Sequence, residues 1–173
     1  MKKPNSLRDH LIQHIPLLKR NPDRLLIFVD NGRVRCTAAQ GLSYEYDYQL
    51  QVILTDFAGR PHEVMIPMLD WLRTHQHELL ANYEKNQEAI QFEVDLLAND
   101  LIDLSITLPL TERVIVNAVE GGLSVTHPPE PQLTDHLPQQ EYTLYIDGQP
   151  AAKWQSGEPQ HPDIDSPWAR HTR

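Results

Sequence analysis

The sequence predicts an α+β domain in which a mostly antiparallel sheet carries helices on one face. Three observations support this class. Three segments alternate apolar and polar residues with a period of two, which is typical of strands. Two other segments place apolar residues at helical spacing. These elements follow one another as helix, hairpin, long strand, helix and paired long strands, an order typical of α+β folds. The alternating segments are 42–54, 90–96 and 102–110.

The polar side of the alternating strands is acidic. If the strands share one sheet, one face is a wall of the core and the other is a wet surface rich in carboxylates. The carboxylates expected on that surface are Glu45, Asp47, Glu93, Asp95 and Asp103.

The first 36 residues are predicted to form one helix and a hairpin. Asn5 or Ser6 is expected to cap a first helix that runs to about Ile15. A short apolar strand, 25–29, then leads to Asn31-Gly32, which predicts a tight hairpin turn into 33–36.

The long strand from residue 42 to about 56 comes next, and a helix over 62–82 follows it. Pro67 is expected to start this helix or to kink it. Strands over 89–97 and 102–117 then flank a turn.

The C-terminal part differs in composition, because eight of the 14 prolines lie between 128 and 173. We predict a core domain over 1–126, a proline-rich linker over 127–141 and an irregular tail over 155–173. Between linker and tail, Asp147-Gly148 predicts a β-hairpin over 142–154. An isolated hairpin is marginal in water, so we expect it to dock on its own sheet or on another chain.

Charge is unevenly distributed along the chain. The formal net charge is −9, with +5 over residues 1–35 and −14 over 36–173. This balance argues against a general nucleic-acid binder, which needs a cationic surface. The asymmetry is compatible with an ordinary solvated surface, or with basic and acidic parts that meet between neighbouring copies. The candidate contact residues are Arg24, Arg33, Arg35, Trp71, Arg73, Arg113, Tyr145 and Trp154.

No motif in the chain indicates catalysis, a metal or a cofactor. His75 and His77 lie two residues apart on a predicted helix and so do not share a face. The single cysteine, Cys36, cannot form an internal disulfide and is expected to be a small buried apolar residue. A hydrolase that uses Cys36 with a distant histidine is the remote alternative.

The predicted strands are unusually long. Residues 42–56 would span roughly 50 Å at about 3.3 Å per residue, whereas most strands have 3–10 residues. Long exposed edges invite pairing with another chain, so we expect an oligomer rather than a monomer.

Several short segments, taken in order, resemble the tail-completion protein R family of contractile-tailed temperate phages and prophages. The resemblance covers about residues 1–154, and nothing is carried over to 155–173. The matching segments are 28–32 (FVDNG), 55–57 (TDF), 71–73 (WLR), 99–100 (ND), 110–113 (LTER), 145–148 (YIDG) and 153–154 (KW).

The resemblance implies a structural protein of the virion tail, assembled in the host cytoplasm and without enzymatic activity, cofactor or membrane contact. It further implies a tail-terminator-like ring of six copies that caps the head-proximal end of the tail tube and stops tube and sheath growth. The implied partners are other copies of the chain, tube and sheath proteins, and head or neck connectors. Headless tail-like bacteriocins use similar caps. An adaptor or chaperone that binds tail proteins without entering the ring is the alternative.

In such a ring the acidic sheet surface has a use. Carboxylates repel the phosphates of passing DNA, whereas lysine and arginine would bind them. Lining the lumen is therefore one interpretation of the five carboxylates, and an ordinary solvated face is the other.

Overall fold

The computed structural model describes residues 1–36, 41–81, 89–130 and 140–156. These residues contain four α-helices: α1 (Lys3–His14), α2 (Pro16–Arg20), α3 (His62–His75) and α4 (His77–Ala81). The predicted cap of α1 is wrong. The helix begins at Lys3, and Ser6 lies inside it, where its hydroxyl accepts a hydrogen bond from Trp71. Pro67 lies within α3, and the helical segment is interrupted at Gln76 instead.

Five strands form the main sheet: β1 (Leu25–Cys36), β2 (Tyr44–Phe57), β3 (Gln91–Leu96), β4 (Ile102–Val119) and β5 (Gly122–Thr126). The strand order is β1-β2-β4-β3, every pairing is antiparallel, and β5 pairs with the far end of β4. A separate hairpin consists of β6 (Glu141–Ile146) and β7 (Gln149–Gln155). The predicted α+β class is confirmed. None of the described helices is long and apolar enough to cross a membrane.

The Asn31-Gly32 hairpin prediction is wrong, because this dipeptide forms a bulge within a single strand. Asp30 pairs with Gln49 and Arg33 pairs with Asp47, so β1 carries one extra residue at this point. Asn31 takes the left-handed conformation, with a φ of 52°, which asparagine tolerates better than most residues. The physical reason is length: β2 offers backbone partners along all of β1, and folding 33–36 back on 25–29 would leave those partners unpaired.

The helices cover one face of the sheet, and we call it the covered face. Alternate residues of β2 and β4 point into it and are completely buried. Their partners from the helices include Leu7, Leu11, Met68 and Leu72. We call the opposite face the open face, because no described helix or strand packs on it. The core therefore lies between one sheet and one layer of helices.

The β6–β7 hairpin docks on the helices rather than on the sheet. The side chains of Ala152 and Trp154 are buried, and β7 contacts α1 and α3. The middle of the predicted linker, 131–139, and the tail over 157–173 lie outside the described residues.

Candidate functional site: the open face and the edges of the sheet

The five predicted carboxylates share the open face. In β2 and β4 the residues of even number from Tyr48 to Leu54 and from Ile102 to Leu110 are buried, so Glu45, Asp47 and Asp103 point to the other side. The register with β4 places Glu93 and Asp95 of β3 on that same side.

One end of the open face mixes acidic and basic side chains. Arg35 stands opposite Glu45 and forms an ion pair with it, and Arg113 flanks Glu45 from β4. Arg33 stands opposite Asp47. The bulge at Asn31-Gly32 produces this arrangement, because its extra residue shifts the arginines from the covered side to the open side. This mixed region comprises Arg33, Arg35, Glu45, Asp47 and Arg113. The strand pattern alone suggested an acidic face, but this end of it is mixed.

The other end of the open face carries carboxylates among uncharged side chains. Glu93, Asp95 and Asp103 make up this acidic region, and no described lysine or arginine forms an ion pair with them. Asp95 stands directly opposite Asp103, where two like charges repel each other. Asp103 accepts a hydrogen bond of 2.8 Å from the backbone N–H of Asp56. Such an arrangement destabilises the sheet slightly.

The two ends of the strand order, β1 and β3, expose apolar side chains. On β1, 40% of Leu26 and 46% of Phe28 is exposed; on β3, 59% of Phe92 and 84% of Leu96 is exposed. Leu26 and Phe28 point to the open face, whereas Phe92 and Leu96 point to the covered side. Outer strands with exposed apolar side chains are pairing surfaces unless something covers them.

A buried carboxylate, Glu112, holds the start of α1. It is only 4% exposed, although it sits on the covered side of β4 among apolar residues. Its oxygens accept hydrogen bonds from the backbone N–H groups of Lys2, at 2.6 and 2.9 Å, and of Lys3, at 3.1 Å. These are helix-terminal donors that lack partners within the helix, and a negative charge at this end suits the helix dipole. The sequence reasoning missed Glu112, and the signal was an acid at an apolar position of the alternation.

The same cluster joins α1 to the break between α3 and α4 and to the first residues of the linker. The ammonium group of Lys3 donates to Gln76 Oε1 at 2.8 Å and pairs with Glu130 at 2.5 Å. His127 Nε2 lies 3.2 Å from a Glu112 oxygen. Burial lowers the pKa of Lys3, and the nearby carboxylate of Glu130 opposes that shift. Burial raises the pKa of Tyr48, whose hydroxyl faces Glu112. We call these residues the Glu112 cluster: Lys2, Lys3, Tyr48, Gln76, Glu112, His127 and Glu130.

Trp154 and His14 join the hairpin to the helices. Trp154 Nε1 donates to Asp70 at 2.8 Å, and His14 Nδ1 donates to the carbonyl oxygen of Lys153 at 3.1 Å. His10 lies beside His14 and reaches the carbonyl oxygen of Pro67. Burial, with help from His14, lowers the pKa of His10 to about 4.

The remaining predicted residues are dispersed. Trp71 is 2% exposed and stacks on His75 within the subunit, so neither it nor Trp154 supplies a free surface here. Arg73 and Tyr145 are exposed, and Arg24 donates to the backbone oxygen of Asp56. Cys36 is exposed, which contradicts the expectation of a buried cysteine, because the strand end it occupies extends beyond the helices. Among the described residues, no cluster of histidine, cysteine or carboxylate side chains has the geometry to hold a metal ion.

Comparison with known proteins assigns the chain to a family. The model of the P2 phage tail completion protein R family matches residues 1–131. The tail completion protein R of Escherichia phage P2 is 40% identical over 154 residues, which is 89% of this chain and 99% of that protein. No solved structure matches. The protein is therefore a structural component of the virion tail, without enzymatic activity. It belongs to the P2 phage tail completion protein R family.

Proposed function

We propose that the protein completes the tail by forming a homo-oligomeric ring of six copies on the head-proximal end of the tail tube. The ring stops growth of tube and sheath and presents a surface to the head or neck proteins. Family membership carries the tail-completion role. Support for the ring comes from the two outer strands of the sheet, β1 with 12 residues and β3 with six, which both expose large apolar side chains. A heterologous contact whose rotation closes produces a ring.

A second part of the proposal concerns the charge of the ring's lumen. We infer that Glu93, Asp95 and Asp103, together with Glu45 and Asp47, face the lumen and repel the phosphates of passing DNA. The carboxylates of the mixed region have arginine neighbours, so the acidic region contributes most of the repulsion.

We further propose that the segment over 127–154 contacts a neighbouring copy or the sheath. Its proline-rich stretch begins at the Glu112 cluster, where His127 and Glu130 are held. Deletion of 128–173 is expected to weaken assembly. Because Trp154 is buried against the helices, we also expect the truncated domain to be less stable than the full chain.

The ring proposal is tested by native mass spectrometry and negative-stain imaging of the protein alone and with purified tails. We expect closed rings, alone or on one end of the tube, and tubes of variable length in particles assembled without the protein. A monomer that never remains on mature tails would contradict the ring and support an adaptor or chaperone.

The lumen proposal has its own test. Asp103→Lys places one added cation on the open face of every subunit, and we expect the ring to bind duplex DNA at low salt as a result. Glu120→Lys, at the exposed turn between β4 and β5, is the matched control and should leave DNA binding unchanged. Rings imaged with the five carboxylates on their outer surface would contradict the lumen proposal.

A further inference from the structure

The β6–β7 hairpin is a small unit whose structure depends on docking. Among the described strands, β6 and β7 pair with each other and with no strand of the main sheet. A two-stranded hairpin is at best marginally stable in water, so contact with other elements must hold it in place. One face of β7 supplies that contact, because Ala152 and Trp154 are buried whereas Lys153 between them is exposed.

The surface that receives the hairpin is formed by α1, α3 and the loop before α3. Asp70 of α3 accepts the hydrogen bond of the Trp154 indole at 2.8 Å, and His14, the last residue of α1, donates to a carbonyl oxygen of β7 at 3.1 Å. Arg60 of the loop forms an ion pair of 2.5 Å with Asp147 at the turn of the hairpin. We call His14, Arg60 and Asp70 the docking site. It lies on helices and a loop, so the hairpin can leave it without breaking a strand pairing of the main sheet.

The chain that leads to the hairpin is longer than this docked position requires. Glu130 is held at the start of α1 by its ion pair with Lys3, and the docking site includes His14 at the end of the same helix. A helix of 12 residues is about 18 Å long. Roughly ten residues join Glu130 to Gln140, the residue before β6, and an extended chain of that length spans about 33 Å. The hairpin can therefore reach a docking site beyond its own subunit while Glu130 stays on Lys3.

Identical copies offer identical docking sites, so an exchange of hairpins keeps every docking contact. A hairpin that docks on a neighbouring copy makes the same hydrogen bonds and buries the same tryptophan as one that docks on its own subunit. In a ring, each copy would give its hairpin to the next copy and receive one from the previous copy. Exchange therefore adds a contact at every junction, and its direction is the same at each junction, as a closed ring requires.

We propose that the β6–β7 hairpin of each subunit docks on the next subunit of the ring, with Trp154 donating to Asp70 of that subunit and Asp147 facing its Arg60. This inference rests on the proposed ring, for which it supplies a contact. The linker then crosses the junction between two subunits. The contact uses no carboxylate of the open face, so it leaves those groups to the proposed repulsion of DNA.

Cysteines placed on two different chains test the exchange. The first chain carries Arg60→Cys and the second carries Asp147→Cys, both with Cys36→Ser so that the exposed native thiol cannot react. Both new cysteines occupy exposed positions, and a short bis-maleimide joins thiols that docking brings together. In rings assembled from both chains, exchange places hairpins of the second chain on docking sites of the first. We expect a cross-linked dimer with one chain of each kind, at about tenfold or more the yield of the control, because docking raises the local concentration of the two thiols.

The control pairs the second chain with a chain that carries Glu120→Cys, an exposed position at the turn between β4 and β5, in place of Arg60→Cys. A further chain with both Arg60→Cys and Asp147→Cys reports docking within one subunit, because its cross-link then leaves a single chain on a denaturing gel. Thermal unfolding of each chain checks that it folds. If Asp147→Cys disturbs the turn, where Asp147 has a φ of 50°, Gln149→Cys at the start of β7 replaces it.

The outcomes separate the exchange from the ring. Rings in which only the doubly substituted chain is cross-linked, and only as a single chain, would overturn the exchange and leave the ring standing. Rings without a cross-link of either kind would also overturn it, because the hairpin then does not occupy a docking site. A protein that is monomeric both alone and on tails would overturn the ring itself, and the exchange with it.

Discussion

The covered and open faces of the sheet are built from alternate residues of the same strands, yet they contribute very differently to stability. Leu108 on the covered face is fully buried, whereas its neighbour Thr107 points to the open face and is partly exposed. Burial of apolar side chains stabilises the subunit. The open face carries charges whose pairing inside the subunit is incomplete, and they stabilise it little. The comparison indicates that the covered face holds the fold together, whereas the open face contributes little to its stability.

The largest loss of unfolding free energy is expected for Glu112, a charged residue on the covered side. It tests whether a buried polar group can stabilise the fold as much as an apolar core residue. Glu112→Ala removes the acceptor for the N–H groups of Lys2 and Lys3 and the partner of His127. Removing one member of a buried charged cluster costs about 3–5 kcal/mol of unfolding free energy. Chemical denaturation measures it. The exposed Glu120→Ala is the control and should be neutral, and an unfolding free energy of Glu112→Ala equal to that of the wild type would refute this role.

Adjacent residues of β4 test the comparison most directly. Leu108→Ala leaves a cavity between sheet and helices and is expected to lower the unfolding free energy by about 3 kcal/mol. Thr107→Ala, one residue earlier, is expected to change it by less than about 0.5 kcal/mol. Equal losses in urea unfolding would show that the open face is covered in the subunit after all.

A pH series probes the helix layer of the covered side. The pKa of His10 is lowered from 6.5 to about 4, so between these values the unfolded chain binds a proton that the folded chain does not. Stability contributed by neutral His10 is therefore full above pH 6.5 and is lost as the pH falls toward 4, by on the order of 2 kcal/mol. Burial also lowers the pKa values of His14 and His75, which act in the same direction. His10→Gln should flatten the pH dependence measured by urea unfolding, and parallel curves for variant and wild type would contradict the assignment.

The smallest effect is expected on the open face and has the opposite sign. Asp95→Asn removes the repulsion with Asp103 and should stabilise the subunit by about 0.5 kcal/mol at low salt, with the gain shrinking as salt is added. Asp47→Asn is the matched control and should give no gain, because Asp47 faces Arg33. A loss of subunit stability in Asp95→Asn would contradict the repulsion.

Strand periodicity was the most reliable part of the sequence. It predicted the class, the approximate limits of β2, β3 and β4, and the common face of the five carboxylates. The sequence is less informative where one short motif fits two different backbone structures. Asn31-Gly32 suits a hairpin turn and a bulge alike, and only the presence of β2 along the whole of β1 decides between them.

The sequence alone determined the alternation of β2, β3 and β4, because side-chain direction in a strand follows from residue spacing. It also determined the family resemblance, because the matching segments are read directly from the residues. Only the tertiary structure decided which arginines stand beside which carboxylates, which tryptophans are buried, and that Glu112 holds a helix start 109 and 110 residues away in sequence. Those contacts join segments that are distant along the chain, and local residue preferences carry no information about such partners.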